Sequence, residues 1–401
     1  MKKLVFFGCV ALAVMSVCVG CSKKEGTPAA QAGQTDPLAA SKKWAEDNGL
    51  NKTETDAELY EKAKKEGEVN IYGVTGRIAD IGKVFMEQYP GVKVNFYDLS
   101  VNELMEKYNR EYDAGVRVAD VLNVTEPVGQ VYNEFIKTGK MHNYHPSDIF
   151  NDIVDPAYLS VTPFNIEVYW WNYNTEVLSD LPISSWWDVT KPEWKGKFAI
   201  IDTATEPTMS ALFTMLIKES DMLAKEYQRV FGKPIELAAD EPTVGHAWIK
   251  RMAKNSPIIE TSQTDLVDAV GGAAGMKDPP IAYAVSSKLR ERERKGWRLG
   301  VDVTKLPTPT TNVSLMVAQI ADQAPHPNAA KLLVRFLCGE AGHKGKGLEP
   351  FVHSGSYFPF KNVTTFENQP KWEDISKFDF DLEYLYNNYL DAYDYWLSVQ
   401  P

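Results

Sequence analysis

Val69-Asn70-Ile71-Tyr72, the turn Gly73-Val74-Thr75-Gly76, then Ile78, Ile81, Phe85 and Tyr89 before Pro90-Gly91: this stretch decides the fold. Its first four residues form a short strand-like run. The apolar residues after the turn recur at helical spacing until Pro90 stops them. Val92, Val94 and Phe96 then alternate with polar residues, which is the period of a strand. Ser100 and Glu103 form a capping box that opens a second helix, each side chain satisfying a free N–H at the helix start. Residues 118–124 supply a third strand. The order β-α-β-α-β implies a largely parallel sheet flanked by helices.

Further along the chain a second set of the same kind begins. Residues 198–201 read as a strand and 207–218 as a helix. Residues 244–254 read as another helix, and 257–260, 281–285 and 297–303 as strands. The two sets are joined by the aromatic, extended segment 165–173, and the chain returns through an apolar strand at 313–320 and a helix built on Ala329, Leu332, Leu333 and Phe336. Two α/β lobes with two strand connections open and close as a hinge, with a ligand cleft at the carboxyl ends of the strands. In the tail, Leu382, Tyr386, Tyr389 and Tyr393 share a helical face, which reads as a packed terminal helix and less readily as a stacking platform for a ligand.

The chain has 401 residues, with 43 Lys and Arg against 54 Asp and Glu, a formal charge of −11. That acidity argues against a nucleic-acid partner, which requires a basic footprint. Met1-Lys2-Lys3 is a basic head, and residues 4–20 are an apolar and small-residue run that fits a secretory signal better than a membrane span. Residues 1–20 are expected to be removed, which takes the charge to −13 (41 basic against 54 acidic side chains). Residues 21–54, polar and without sustained periodicity, read as a flexible tether. The body is then expected as a first lobe at 55–165 plus 312–350 and a second lobe at 166–311. A helical segment at 351–401 is expected to pack on the lobes.

Small residues before Cys21 and the polar stretch after it resemble the lipobox of bacterial lipoproteins, which implies that Cys21 carries lipid, although Cys18 stands where that family usually has Leu. Cys9 and Cys18 leave with the signal, so Cys338 is the remaining thiol, expected to be buried and inert. Glu68-Val69-Asn70-Ile71-Tyr72, Tyr89-Pro90-Gly91-Val92-Lys93-Val94 and Ala119-Asp120-Val121 resemble the first lobe of the bacterial solute-binding proteins of ABC importers. Pro192-Glu193-Trp194-Lys195-Gly196-Lys197 is similar to that family's entry into the second lobe. Ala324-Pro325-His326-Pro327-Asn328-Ala329-Ala330-Lys331 is similar to its return helix. The resemblance implies a type II, two-lobed periplasmic-binding-protein fold, each lobe a mostly parallel sheet flanked by helices, joined by two hinge crossovers. It also implies an exported, membrane-anchored monomer that hands a small solute to a permease, with no cofactor.

The ferric-iron-type branch of the family is the nearest, and its relatives also bind thiamine, polyamines, phosphonates or sugar phosphates. The branch's carboxylate position is kept at Thr125-Glu126. Its first-strand His is missing from Gly73-Val74-Thr75-Gly76-Arg77, and its paired tyrosines are replaced by Val285 and Ser286. A hard ferric ion prefers phenolate and carboxylate oxygen, so bare iron is disfavoured relative to a sugar-phosphate-, thiamine- or polyamine-like solute. The remaining candidates are Thr75 and Arg77 in the first turn and Tyr169 and Trp170 in the crossover. Thr203, Thr205, Glu206 and Thr208 in the second-lobe turn complete the set with Tyr283, Ser286 and Ser287. Glu206 weighs against a strongly anionic ligand at its turn, and residues 290–294 read as an exposed charged helix face. No metal-ligand motif or nucleophile elbow is present, so no catalytic residue is assigned. The alternatives are a ferric-iron binder with a non-standard site and an exported hydrolase working through unrecognised carboxylates.

Overall fold

The structure is a computed structural model and describes residues 36–363 and 365–401. The expected signal segment and Cys21 lie outside the described residues. Among these residues no helix is long and apolar enough to cross a membrane. From residue 37 the chain is folded, which corrects the expected tether. Helix α1 (Pro37–Asp47) buries Ser41, whose hydroxyl donates to the carbonyl of Gly139 at 2.6 Å, and Leu50 joins the core. The polar composition of this segment concealed a docked helix, because only one of its faces needs to meet the body.

The first lobe is built from α2 (Asp56–Glu66), β1 (Glu68–Gly73), α3 (Arg77–Gln88), β2 (Lys93–Asp98), α4 (Val101–Asp113), β3 (Val121–Glu126), β4 (Met141–His142) and α5 (Ser147–Phe150). The helix start read from the sequence as a polar cap is real. Ser100 and Glu103 form their reciprocal box, with bonds of 2.9 and 3.3 Å, and Thr55 and Glu58 do the same for α2. β5 (Pro163–Asn174) then leaves this lobe, and the second lobe follows. It holds β6 (Phe198–Ile201), α6 (Thr208–Lys218), α7 (Ser220–Phe231), α8 (Val244–Lys254), β7 (Ile258–Glu260), α9 (Gln263–Gly271), β8 (Ile281–Val285), α10 (Glu291–Lys295) and β9 (Leu299–Val301). The chain returns through β10 (Val313–Ala321) and α11 (Pro327–Leu337). Of the segment 351–401, the one long helix is α12 (Leu382–Val399), so the expected helical tail is turns and irregular chain up to residue 381.

The strands form one path, β2-β1-β3-β10-β5-β8-β6-β7, with β4 on β10 and β9 on β5. β1 pairs in parallel with β2 and β3, and β6 in parallel with β7 and β8. Every pair made by β5 or β10 is antiparallel. The reason is topological: these two strands carry the chain between lobes, so they run against the strands wound by βαβ crossovers. β5 pairs with β10 up to Val168 and with β8 from Tyr169, so one strand belongs to both lobes.

Arg335 on α11 ties three elements of the first lobe together. Its guanidinium, 1% exposed, meets Asp56 at 2.5 Å and Asp148 at 2.6 Å, and this pairing holds its pKa above the ordinary arginine range. Both aspartates keep about a third of their surface in water and regain hydration once the arginine is gone. Arg335→Met is therefore expected to cost about 2–3 kcal/mol, at or just below the low end for a broken buried pair, as read by urea unfolding. A loss below 0.5 kcal/mol would show that this clamp is not structural.

Candidate functional site

The turns after β1 and β3 and the start of α4 face the turns after β6, β7 and β8 across a cleft of about 870 Å³. The placement follows from the fold, because in a parallel sheet the strand ends and helix starts converge on one edge. Of the sequence-derived candidates, Thr75, Arg77, Thr125, Tyr169, Thr203, Thr205, Glu206 and Thr208 line this cleft, as does Ser287. Among the described residues the buried Thr203 hydroxyl has no hydrogen-bond partner. Tyr169 stacks on Tyr283 with ring centroids 6.2 Å apart. Burial, together with Glu206 and Glu167, holds its phenol well above the usual range.

Four candidates do not reach the cleft. Glu126 is fully buried and accepts from the backbone N–H groups of Gly129 at 2.6 Å and Tyr132 at 2.9 Å, so it caps the π-helical turn Val131–Ile136. Trp170 is buried edge-on against Tyr357. Tyr283 sits in the aromatic core with Trp171 and Trp186 and donates to the carbonyl of Thr310. Ser286 accepts from the N–H of Val168, at the point where β5 passes from one lobe to the other. Glu126 and Trp170 each follow a lining residue, Thr125 and Tyr169, and the alternation of side chains along a strand turns them the other way.

Charged residues of the cleft were missed at the sequence level. Residues 290–294 are not a simple exposed face: Arg290 lines the cleft and Glu291 is buried beneath it, 3.5 Å from the Arg290 guanidinium. Lys288 and Glu167 line it too. Burial lowers the pKa of Arg77, Lys288 and Arg290, and repulsion from Arg290 adds to the effect at Lys288, as repulsion from Arg77 does at Arg290. Among the described residues the Arg77 guanidinium has no hydrogen bond or ion pair; it lies 5.3 Å over the ring of Phe351. Against these three cations stand Glu167 and Glu206, and burial and then Glu167 raise the pKa of Glu206. The helices α3 and α6, one from each lobe, begin at the cleft with N-cap residues, Gly76 and Pro207, that offer no side-chain cap; at α3 the first three N–H groups turn back on Thr75 and Gly76. The sequence offered one signal of this site, an arginine directly after the helix-start glycine at Gly76-Arg77; nothing local marks Lys288 or Arg290 as cleft residues.

The architecture is that of the type II periplasmic binding proteins: two α/β lobes, two crossovers and a polar cleft between them. Among solved structures, iron-bound HitA from Pseudomonas aeruginosa matches with a TM-score of 0.59 at 17% identity, over 83% of this chain and 99% of that one. The apo ferric ion-binding protein A of Pasteurella haemolytica matches with a TM-score of 0.63 at 18% identity, over 83% and 98%. AfuA of Actinobacillus pleuropneumoniae, a periplasmic binding protein with fructose 6-phosphate bound, matches with a TM-score of 0.58 at 17% identity, over 83% and 98%. No protein-family model and no curated protein sequence matches the chain.

Glu126 offers a test of its reassignment. Burial pushes its carboxyl up to about 7 against the pull of the backbone N–H groups. Unfolded, a glutamate titrates near 4.3. Between these values the folded chain holds a proton that the unfolded chain releases, so the contribution of Glu126 to stability falls as pH rises through the window. Glu126→Gln does not titrate. The stability of wild type minus variant is therefore expected to drop by roughly 3 kcal/mol between pH 4.5 and 7.5. A gap independent of pH in chemical unfolding contradicts the buried placement.

Proposed function

We propose that the chain is the solute-binding component of an importer, exported and anchored to the membrane through lipid on Cys21. It acts as a monomer that binds without turning its ligand over. It takes a small polar organic solute with an anionic group into the cleft, and a membrane permease receives the closed form. The observation that carries this reading is the convergence of Arg77 from the first lobe with Lys288 and Arg290 from the second, beside the starts of α3 and α6. An anion there relieves three crowded, half-desolvated cations at once, and it does so only when the lobes are together. The hydroxyls of Thr75, Thr125, Thr205, Thr208 and Ser287 suit a polyol. A sugar phosphate fits this combination, and fructose 6-phosphate occupies a structure of the same fold. Polyamines and a bare ferric ion meet a cleft whose cations repel them.

A thermal-shift series with fructose 6-phosphate, inorganic phosphate, thiamine, spermidine and ferric citrate tests the reading. Fructose 6-phosphate is expected to raise Tm, and Arg77→Met or Arg290→Met to weaken its binding at least tenfold, the loss of about one charge-assisted contact. A shift with spermidine or the ferric salt alone, or hydrolysis of the sugar phosphate, overturns it.

A further inference from the structure

α12 touches both lobes. On the second lobe its hold is apolar and deep. Trp396, 1% exposed, packs on Phe213 of α6 at 5.3 Å, and Tyr395 stands edge-on to His246 of α8 at 4.6 Å. Just before the helix, Asp381 pairs with Lys218 at 2.8 Å. On the first lobe its contacts are fewer and polar. The Tyr386 hydroxyl donates to Glu134 at 3.1 Å, Asn133 donates to the carbonyl of Leu382 at 3.4 Å, and Lys137 stands 3.6 Å from Glu383.

The first-lobe surface that receives the helix is itself specialised. Gly129 has φ +82°, and a Cβ there would lie 2.1 Å from the Leu382 carbonyl oxygen, so only glycine permits the approach. The turn is fixed by Glu126, through the N–H groups of Gly129 and Tyr132. Between its two footholds α12 turns Tyr389 and Tyr393 to the cleft, and among the described residues neither phenol hydroxyl has a partner.

We propose that α12 is a clasp between the lobes and a third wall of the solute site. It is fixed to the second lobe by Trp396 and latched to the first by Tyr386 and Asn133, and it presents Tyr389 and Tyr393 to a ring-bearing or polyhydroxylated solute. Hinge opening separates the lobes, so it must break the latch, and the latch therefore favours the near-closed arrangement before any solute arrives. The tyrosines offer O–H donors and ring faces that suit the hydroxyls and apolar face of a sugar. The wall function rests on the solute reading above; the latch function does not.

The test separates the two. The full-length protein carrying Tyr386→Phe with Asn133→Ala is compared with wild type by small-angle X-ray scattering without solute. The variant is expected to show a radius of gyration larger by about 1 Å, against about 21 Å for a compact body of this size, with Tm within about 2 °C of wild type. A contact that merely supports the fold lowers Tm and leaves the radius unchanged; that result, or no change in either, overturns the clasp. In the second arm, Tyr389→Phe with Tyr393→Phe is titrated with fructose 6-phosphate, and at least fivefold weaker binding at unchanged radius is expected. Wild-type affinity removes the wall. If wild type itself takes up no fructose 6-phosphate, the solute reading fails, and the scattering of the ligand-free pair still decides the clasp.

Discussion

Both lobes hang on β5. Its twelve residues pair with β10 in the first lobe and with β8 and β9 in the second, so a single extended backbone is the spine of two sheets. At the point of transfer, between Val168 and Tyr169, the ladder is held by side chains: the Ser286 hydroxyl accepts from the N–H of Val168, and the Thr311 hydroxyl from that of Tyr169. A strand that changes partners must leave some of its donors without a carbonyl opposite, and a buried unpaired N–H costs about as much as a lost hydrogen bond. The two hydroxyls fill that gap. They also mark where a hinge can bend, because a hydroxyl follows its donor more easily than a sheet ladder does.

The cleft accumulates charge at the expense of stability. Arg77, Lys288 and Arg290 are all disfavoured by burial, and among the described residues the Thr203 hydroxyl has no partner. Cores do not gather like charges without a reason, since desolvation and repulsion both oppose it. Such an arrangement is consistent with a site completed from outside the chain. The aromatic cluster of Trp171, Trp186, Trp248 and Tyr283 beside it is uncharged and buried, ring against ring.

Glu126 shows how local context redirects a plausible ligand residue. It stands at the end of a strand that points at the cleft, as a binding carboxylate would. The chain turns back immediately through Pro127 and Gly129, and the free N–H groups of the following turn capture the carboxylate. The result is a rigid seat for α12 in place of a ligand contact. Ser286 and Ser287 divide in the same way: one closes the β5 ladder and the other lines the cleft.

The sequence by itself determined the β-α-β-α-β order of the first lobe, the two-lobed α/β plan, the cap at Ser100 and the burial of Cys338, because each depends on periodicity or on neighbours within a few residues. It also located the turns from which Thr75, Arg77 and Thr203 to Thr208 project. The tertiary structure alone decided which member of each adjacent pair faces the cleft, that α1 is docked, that Lys288 and Arg290 meet Arg77, and that the tyrosines of α12 line a cleft between lobes. Those facts depend on strand register and on contacts between residues up to about 250 positions apart, such as Glu134 with Tyr386. No local pattern encodes them, since the same amphipathic helix can present its aromatic face equally well to a core or to a cleft.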